Sequence, residues 1–190
     1  MRAFLRPALV LIALFTLVTG LGYPLAVTGV AGLVFPHRAH GSLIEQDGRV
    51  VGSALIGQSF ARPEYLHGRP SANGYDAANS GGSNLAPSSR ALAAQVADRV
   101  AAVRAENPGE AGPVPVDLVT ASASGLDPDV SPAAALYQAR RIAAARGAPE
   151  AEVRAMVAEF TRGRDFGVLG EPRVNVLEFN LALDARRPMR

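Results

Sequence analysis

The sequence predicts a single N-terminal transmembrane helix followed by a mixed α/β soluble domain with few strands and about three helices. Two observations predict it. From Pro7 to Pro36 the chain carries no Asp, Glu, Lys or Arg, just behind Arg2 and Arg6. Beyond that run, stretches with the helical period alternate with short apolar runs bounded by Gly and Pro.

The anchor comes first. A helix rises about 1.5 Å per residue, so roughly 20 residues cross the ~30 Å hydrocarbon core. Pro7–Pro36 is long enough to span with some tilt, and its polar side chains are Thr16, Thr19, Tyr23 and Thr28. A secretory signal peptide shares the basic start, but its apolar core runs only about 7–15 residues before a small-x-small cleavage site. Here the apolar run continues past Gly20-Leu21-Gly22 and Pro24 without such a site, which favours a retained anchor. Arg2 and Arg6 place the N-terminus in the cytoplasm by the positive-inside rule, against a modest opposing flank of His37, Arg38 and His40. The expected division is residues 1–6 cytoplasmic, 7–36 transmembrane and 37–190 a soluble domain outside. Thr16, Thr19, Gly20, Gly22 and Gly29 would let another helix approach closely in lipid, although Gly20 and Gly22 equally ease a bend at Pro24.

In the soluble part, Asp47-Gly48 signals a turn, and residues 48–57 read as a short strand or hairpin arm. From Gln58 to Pro87 no period holds. The aromatic residues Phe60, Tyr65 and Tyr75 argue against a solvated linker there. Ser88 or Ser89 caps a helix with a Leu92, Val96, Val100, Val103 stripe, ending at Asn107-Pro108-Gly109. Val114–Ala121 reads as a buried strand. A small-residue turn follows, Ser122 to Pro128. Ser131 caps a second helix with Pro132 at its first position, stopped by Gly147. Pro149 opens a third, with Glu150 and Glu152 in its first turn and Val153, Met156, Val157 and Phe160 buried, ending at Gly163. Val174–Leu183 alternates, with Leu177, Phe179, Leu181 and Leu183 on one face, and reads as a last strand.

Composition excludes several classes. The chain has 190 residues, leaving about 150 beyond the anchor, enough for one domain with its own core. A net charge of +2 without a basic block gives no reason to expect nucleic acid as a partner. With no cysteine, disulfides, thiolate catalysis and Cys-based metal sites are excluded. His37 and His40 lack a third ligand at recognisable spacing, and solvated residues at the membrane surface explain them better. The serine-hydrolase elbow is absent, since Gly57-Gln58-Ser59-Phe60-Ala61 lacks its last glycine. His67 stands in the irregular stretch, where a functional role is open.

Two loops are candidate sites. Adjacent glycines and hydroxyls in Ser80-Gly81-Gly82-Ser83-Asn84 can form a nest of N–H groups that binds anions. No Lys follows as in a nucleotide loop, so a tight turn needing positive φ explains it better. Ser122, Ser124, Gly125 and Asp127 lie in a loop between a strand and a capped helix, where ligands and partners are often read. Turn and site stay evenly balanced there.

An ordered set of motifs resembles one family, the C subunit (KdpC) of the bacterial potassium-transporting P-type ATPase. It comprises the basic and apolar N-terminus, Phe35-Pro36, Val51 to Gln58, Phe60-Ala61-Arg62-Pro63, Gly68-Arg69-Pro70-Ser71 with Tyr75, and Ser80 to Leu85. It continues with Val119 to Pro128, Ser131, Ala135 to Ala143, and Gly170 to Leu177. The chain departs from the pattern at Ala123, where Gly is expected, and at Asp129, where His is expected.

The resemblance implies a non-catalytic accessory subunit in a plasma membrane. Its partners are a channel-like potassium-binding subunit, the P-type ATPase subunit and the bilayer. It implies no intrinsic cofactor; ATP enters through the hydrolysing subunit, whose ATP affinity the C subunit raises as a catalytic chaperone. Gln58, with the Ser80–Asn84 and Ser122–Asp127 loops, is the candidate nucleotide or partner contact. Direct contact with cytoplasmic ATP conflicts with a domain outside the membrane; from there an effect on ATP must travel through helix packing. The stretch Tyr65 to Leu85 is the candidate docking surface. The alternatives are a free-standing anchored ligand-binding or sensor domain outside the membrane, and a small hydrolase using Ser124 or Ser59.

Overall fold

The computed structural model describes residues 2–189. Contacts divide the chain between Leu43 and Ile44 into two compact units.

The first unit is helical. Helix α1, Arg2–Phe15, passes into a π-helical stretch, Thr16–Gly22, and on into α2, Tyr23–Val34. A short α3, Pro36–Ala39, follows. The π stretch has a cause in the sequence. Pro24 has no N–H and its ring collides with the carbonyl four residues back, Gly20. Widening the preceding turns relieves that collision, and the Tyr23 N–H reaches back five residues to the Val18 carbonyl. The Thr19 hydroxyl donates to the Phe15 carbonyl at 2.6 Å, so a polar side chain is satisfied within the helix. Phe4–Val34 is long and apolar enough to cross a membrane, at 31 residues, and none of it is buried in this chain.

In the second unit, which begins within β1 (Leu43–Gln46), that strand and β2 (Arg49–Ser53) form a hairpin across Asp47-Gly48, both at positive φ. That turn agrees with the sequence reading. Helix α4, Arg90–Glu106, is capped by the Ser89 hydroxyl, which accepts from the Leu92 N–H. Its Leu92, Val96, Val100 and Val103 stripe is only half-buried. Next come β3 (Asp129–Val130), α5 (Pro132–Arg146), α6 (Glu150–Phe160), β4 (Thr161–Arg162), β5 (Arg173–Asn175) and α7 (Val176–Arg186). Three strands make an antiparallel sheet in the order β3-β5-β4, with Val174 paired to both Val130 and Thr161.

Helices α5 and α6 pack most extensively. The small side chains of Ala134, Ala135, Ala139 and Ala143 let α6 come close with Val153, Met156 and Val157. Phe179 of α7 fills the space beneath, edge-on to Phe160 at 5.9 Å between ring centres.

Two expected strands are corrected. Val114–Ala121 is not a strand; it holds a 3-10 turn at Val116–Leu118. Pro113 and Pro115 cannot donate to a ladder. Instead Leu118 N–H bonds the Pro115 carbonyl, and Thr120 N–H and hydroxyl both bond that of Val116. Val174–Leu183 contributes strand only through Asn175; from Val176 it is α7, a fourth long helix of this unit. Asn175 caps it by accepting from the Glu178 N–H at 3.1 Å. The Asn-x-x-Glu signature stands in the sequence. The buried set Val176, Leu177, Asn180, Leu183 keeps the helical period as well as the alternation keeps period two. The third expected helix also stops earlier than Gly163, at Phe160.

Candidate functional site

The irregular stretch after Gln58 is anchored by buried side-chain amides. Asn180, on α7, accepts from the Leu66 N–H at 2.8 Å and donates to the Leu66 carbonyl at 2.9 Å. Gln138, on α5, treats the next residue in the same way. Its Oε1 accepts from the His67 N–H at 2.9 Å and its Nε2 donates to the His67 carbonyl at 3.1 Å. Two helices thereby supply what neighbouring strands would supply to a segment outside any sheet. Both amides are buried, as is Leu66. Arg141, one turn beyond Gln138, donates to Gln138 Oε1 at 2.6 Å, to Asn107 Oδ1 at 3.1 Å, and to the carbonyls of Pro63 and Tyr65. Burial lowers its pKa from the ordinary arginine value, but its contacts are those of a cation.

His67 lines a cleft of about 210 Å³ with Phe60, Arg69, Tyr75, Glu106 and Gln138. Its Nε2 lies 2.9 Å from the Arg62 carbonyl, and its Nδ1 lies 3.4 Å from Glu106. Both ring nitrogens thus face groups other than a serine, which gives no support to a hydrolytic pair. Desolvation, then the Arg141 charge, lowers the His67 pKa, while Glu106 opposes them.

The two candidate loops meet. Ser80 Oγ at 3.1 Å and the Gly81 N–H at 2.8 Å both donate to the Ser124 carbonyl. A Cβ on Gly82 would stand 2.9 Å from the Ala123 carbonyl oxygen. Gly125 has φ +68, and a Cβ there would stand 2.7 Å from the Gly81 carbonyl oxygen. Ser124 Oγ accepts from the Leu126 N–H, and the buried Ser122 donates its N–H to the Pro70 carbonyl. Asp127 pairs with Arg69 at 3.0 Å and accepts from the Asp129 N–H. The Gly81 N–H is thus engaged within the protein, while Ser83 and Asn84 are exposed.

Gln58 joins the same neighbourhood from the hairpin. Its Nε2 donates to the Val51 carbonyl at 3.0 Å, and the amide lies against Gly52, where a Cβ would stand 2.3 Å from it. Gly57 donates to the Leu126 carbonyl at 2.8 Å. The expected site residues are therefore neighbours, with most of their hydrogen bonds turned inward. Asp129 lines a second cleft of about 340 Å³ with Asp117, Asp127, Glu171, Arg69 and Arg173. Desolvation raises its pKa, Asp127 adds to the rise, and Asn175 and Arg173 oppose it.

Sequence reasoning missed Asn180, Gln138 and Arg141. Their signal was present as polar side chains on helix faces that are otherwise apolar.

Residues 5–185 match the family described as KdpC, the c chain of K+-transporting ATPase. The chain belongs to the KdpC family. Similar curated proteins carry the name potassium-transporting ATPase KdpC subunit. The one from Methylorubrum populi is 59% identical, covering 98% of this chain and 100% of its own length. That of Methylorubrum extorquens is 61% identical, covering 94% and 95%. That of Variovorax paradoxus is 60% identical, covering 97% of each. The resemblance read from the motifs is thus borne out across nearly the whole KdpC chain.

Proposed function

We propose that this chain is the non-catalytic accessory subunit of an ATP-driven potassium-uptake complex. One helix anchors it in the plasma membrane, and its α/β domain lies outside. Family membership across residues 5–185 carries the reading, and one apolar helix of 31 residues supports it. The partners are the channel-like potassium-binding subunit and the hydrolysing subunit, within the bilayer. The chain stabilises their assembly. It also raises the ATP affinity of the hydrolysing subunit through a coupling free energy transmitted by packing, without touching nucleotide. The contacts of Gln58 with Val51 and of Ser80 and Gly81 with Ser124 support this, because these groups spend hydrogen-bonding capacity on the domain itself. No cofactor of its own is required.

Sidedness tests it. The chain has no cysteine, so Ser88→Cys creates a unique label. Ser88 is exposed and is a better choice than Ser89, whose hydroxyl caps α4. In intact cells a membrane-impermeant thiol reagent is expected to modify Ser88→Cys. Protection until lysis would reverse the topology and return Gln58 and the Ser80–Asn84 loop to candidacy as a nucleotide contact.

A further inference from the structure

The connection between β4 and β5 holds the two most exposed large apolar side chains of the domain among the described residues. Phe166 is 93% exposed and Val168 is 71% exposed, with Leu169 beside them at 58%. The tip is closed. Asp165 and Leu169 exchange N–H to carbonyl hydrogen bonds in both directions at 2.9 Å, and the Gly167 N–H bonds the Arg164 carbonyl at 3.1 Å. Phe166 sits at φ +53, followed by Gly167 at +78. Gly takes the left-handed region readily; a side chain as large as phenylalanine does so at an energetic cost. The loop's own hydrogen bonds hold the conformation, but in the isolated chain the ring adds no packing to offset that cost, because it faces solvent. Strained, solvent-facing and rigidly presented, the ring has the form of a preorganised anchor.

We infer that Phe166, Val168 and Leu169 form a finger that inserts into an apolar concavity on another subunit of the same ATPase. This deepens the assembly reading above and rests on it. The charges around the finger favour a protein over lipid. Arg162 pairs with Glu178 at 2.5 Å, Arg164 with Glu171 at 2.7 Å, and Arg173 with Asp165 at 3.3 Å. Each cation is locally neutralised, and two of the paired acids, Asp165 and Glu171, lie on the loop itself. An anionic headgroup layer would find little attraction there, since surface binding of that kind draws on unpaired Lys and Arg. A pocket with an apolar floor and an uncharged polar rim suits it better. An exposed aromatic ring within an apolar patch matches the buried core of a protein interface, where aromatic residues are enriched and charged residues depleted.

The test uses the intact complex in native membranes. A photo-reactive phenylalanine analogue is introduced in place of Phe166 and irradiated before solubilisation. The expected product joins this chain to another ATPase subunit. A lipid adduct, an adduct with a second copy of this chain, or no adduct would overturn the inference. In parallel, Phe166→Ser should weaken co-purification of the other subunits by about tenfold or more, the loss expected of an interface anchor. The melting temperature of the variant chain should not change, because the ring packs on nothing. Co-purification equal to that of the unaltered chain would also overturn it. If the unaltered chain holds its partners while the finger shows no adduct, only this inference fails. If the unaltered chain captures neither partner subunit, the assembly reading falls and the finger with it.

Discussion

Helix α4 and the segment Pro63–Ser80 invert the usual link between regularity and anchorage. Helix α4 has a capped start and an unbroken apolar period, yet none of its residues is buried. Pro63–Ser80 has no period, yet Leu66 is wholly enclosed and its backbone is held by side chains from α5 and α7. A helix satisfies its own backbone groups, so it can lie on a surface with little tertiary support. An irregular segment cannot, so it is buried only where other elements offer donors and acceptors. Lack of pattern in the sequence therefore marked a dependence on distant residues and not a loose region.

The sharpest way to break this comparison is Asn180→Leu. It keeps the volume and leaves the Leu66 N–H and carbonyl unpaired in the interior, at about 1–3 kcal/mol for each group. Chemical unfolding of the chain in detergent should show a loss of about 2–5 kcal/mol. A loss below about 1 kcal/mol would mean that the clamp is not what holds the segment. Gly57→Ala comes next. Its Cβ would stand 2.4 Å from the Asp127 carbonyl oxygen, and backbone must shift to admit it. A cost of about 1–3 kcal/mol in the same measurement is expected; neutrality would show that the hairpin end and the Leu126–Asp127 loop move independently.

Ser89→Ala tests the other side of the comparison. Removing the α4 cap should cost about 1 kcal/mol, less than either change above; a larger loss would show that α4 carries tertiary weight that its exposure conceals. The smallest effect concerns pH. The folded state lowers the His67 pKa below its ordinary value of 6.5. The unfolded chain therefore binds the proton first as pH falls. The stabilising contribution is present above about 6.5 and is lost as pH drops from there through the lower folded value. Melting temperatures should fall between about pH 7.5 and pH 5.5 in the unaltered chain, and fall less in His67→Gln. An equal fall in both would remove His67 from the account.

Much of the fold was legible because it is local. The long apolar helix at the N-terminus follows from an uncharged run, the starts of α4 and α5 from Ser89 and Ser131, and the hairpin from Asp47-Gly48. At Val174–Leu183 two periods competed. The Asn175 cap and the burial of Val176, Leu177, Asn180 and Leu183 against α6 and β5 decide for the helix. At Val114–Ala121 hydrophobicity suggested a strand, while Pro115 inside the segment and Pro113 just before it each lack the N–H that a ladder needs. Of the candidate site, the sequence marked the residues but not their orientation. Ser80 and Ser124 are 44 positions apart, and only the folded chain turns their polar groups toward each other.

The sequence by itself determined the long apolar N-terminal helix, the capped helix starts, the hairpin turn and the family, because each rests on neighbouring residues or ordered motifs. Only the tertiary structure decided that Gln138 and Asn180 bind the backbone at 67 and 66, that the two loops close on each other, and that Phe166 is left outside. Those outcomes depend on which distant groups meet, and a buried amide is stable only when its partners arrive with it.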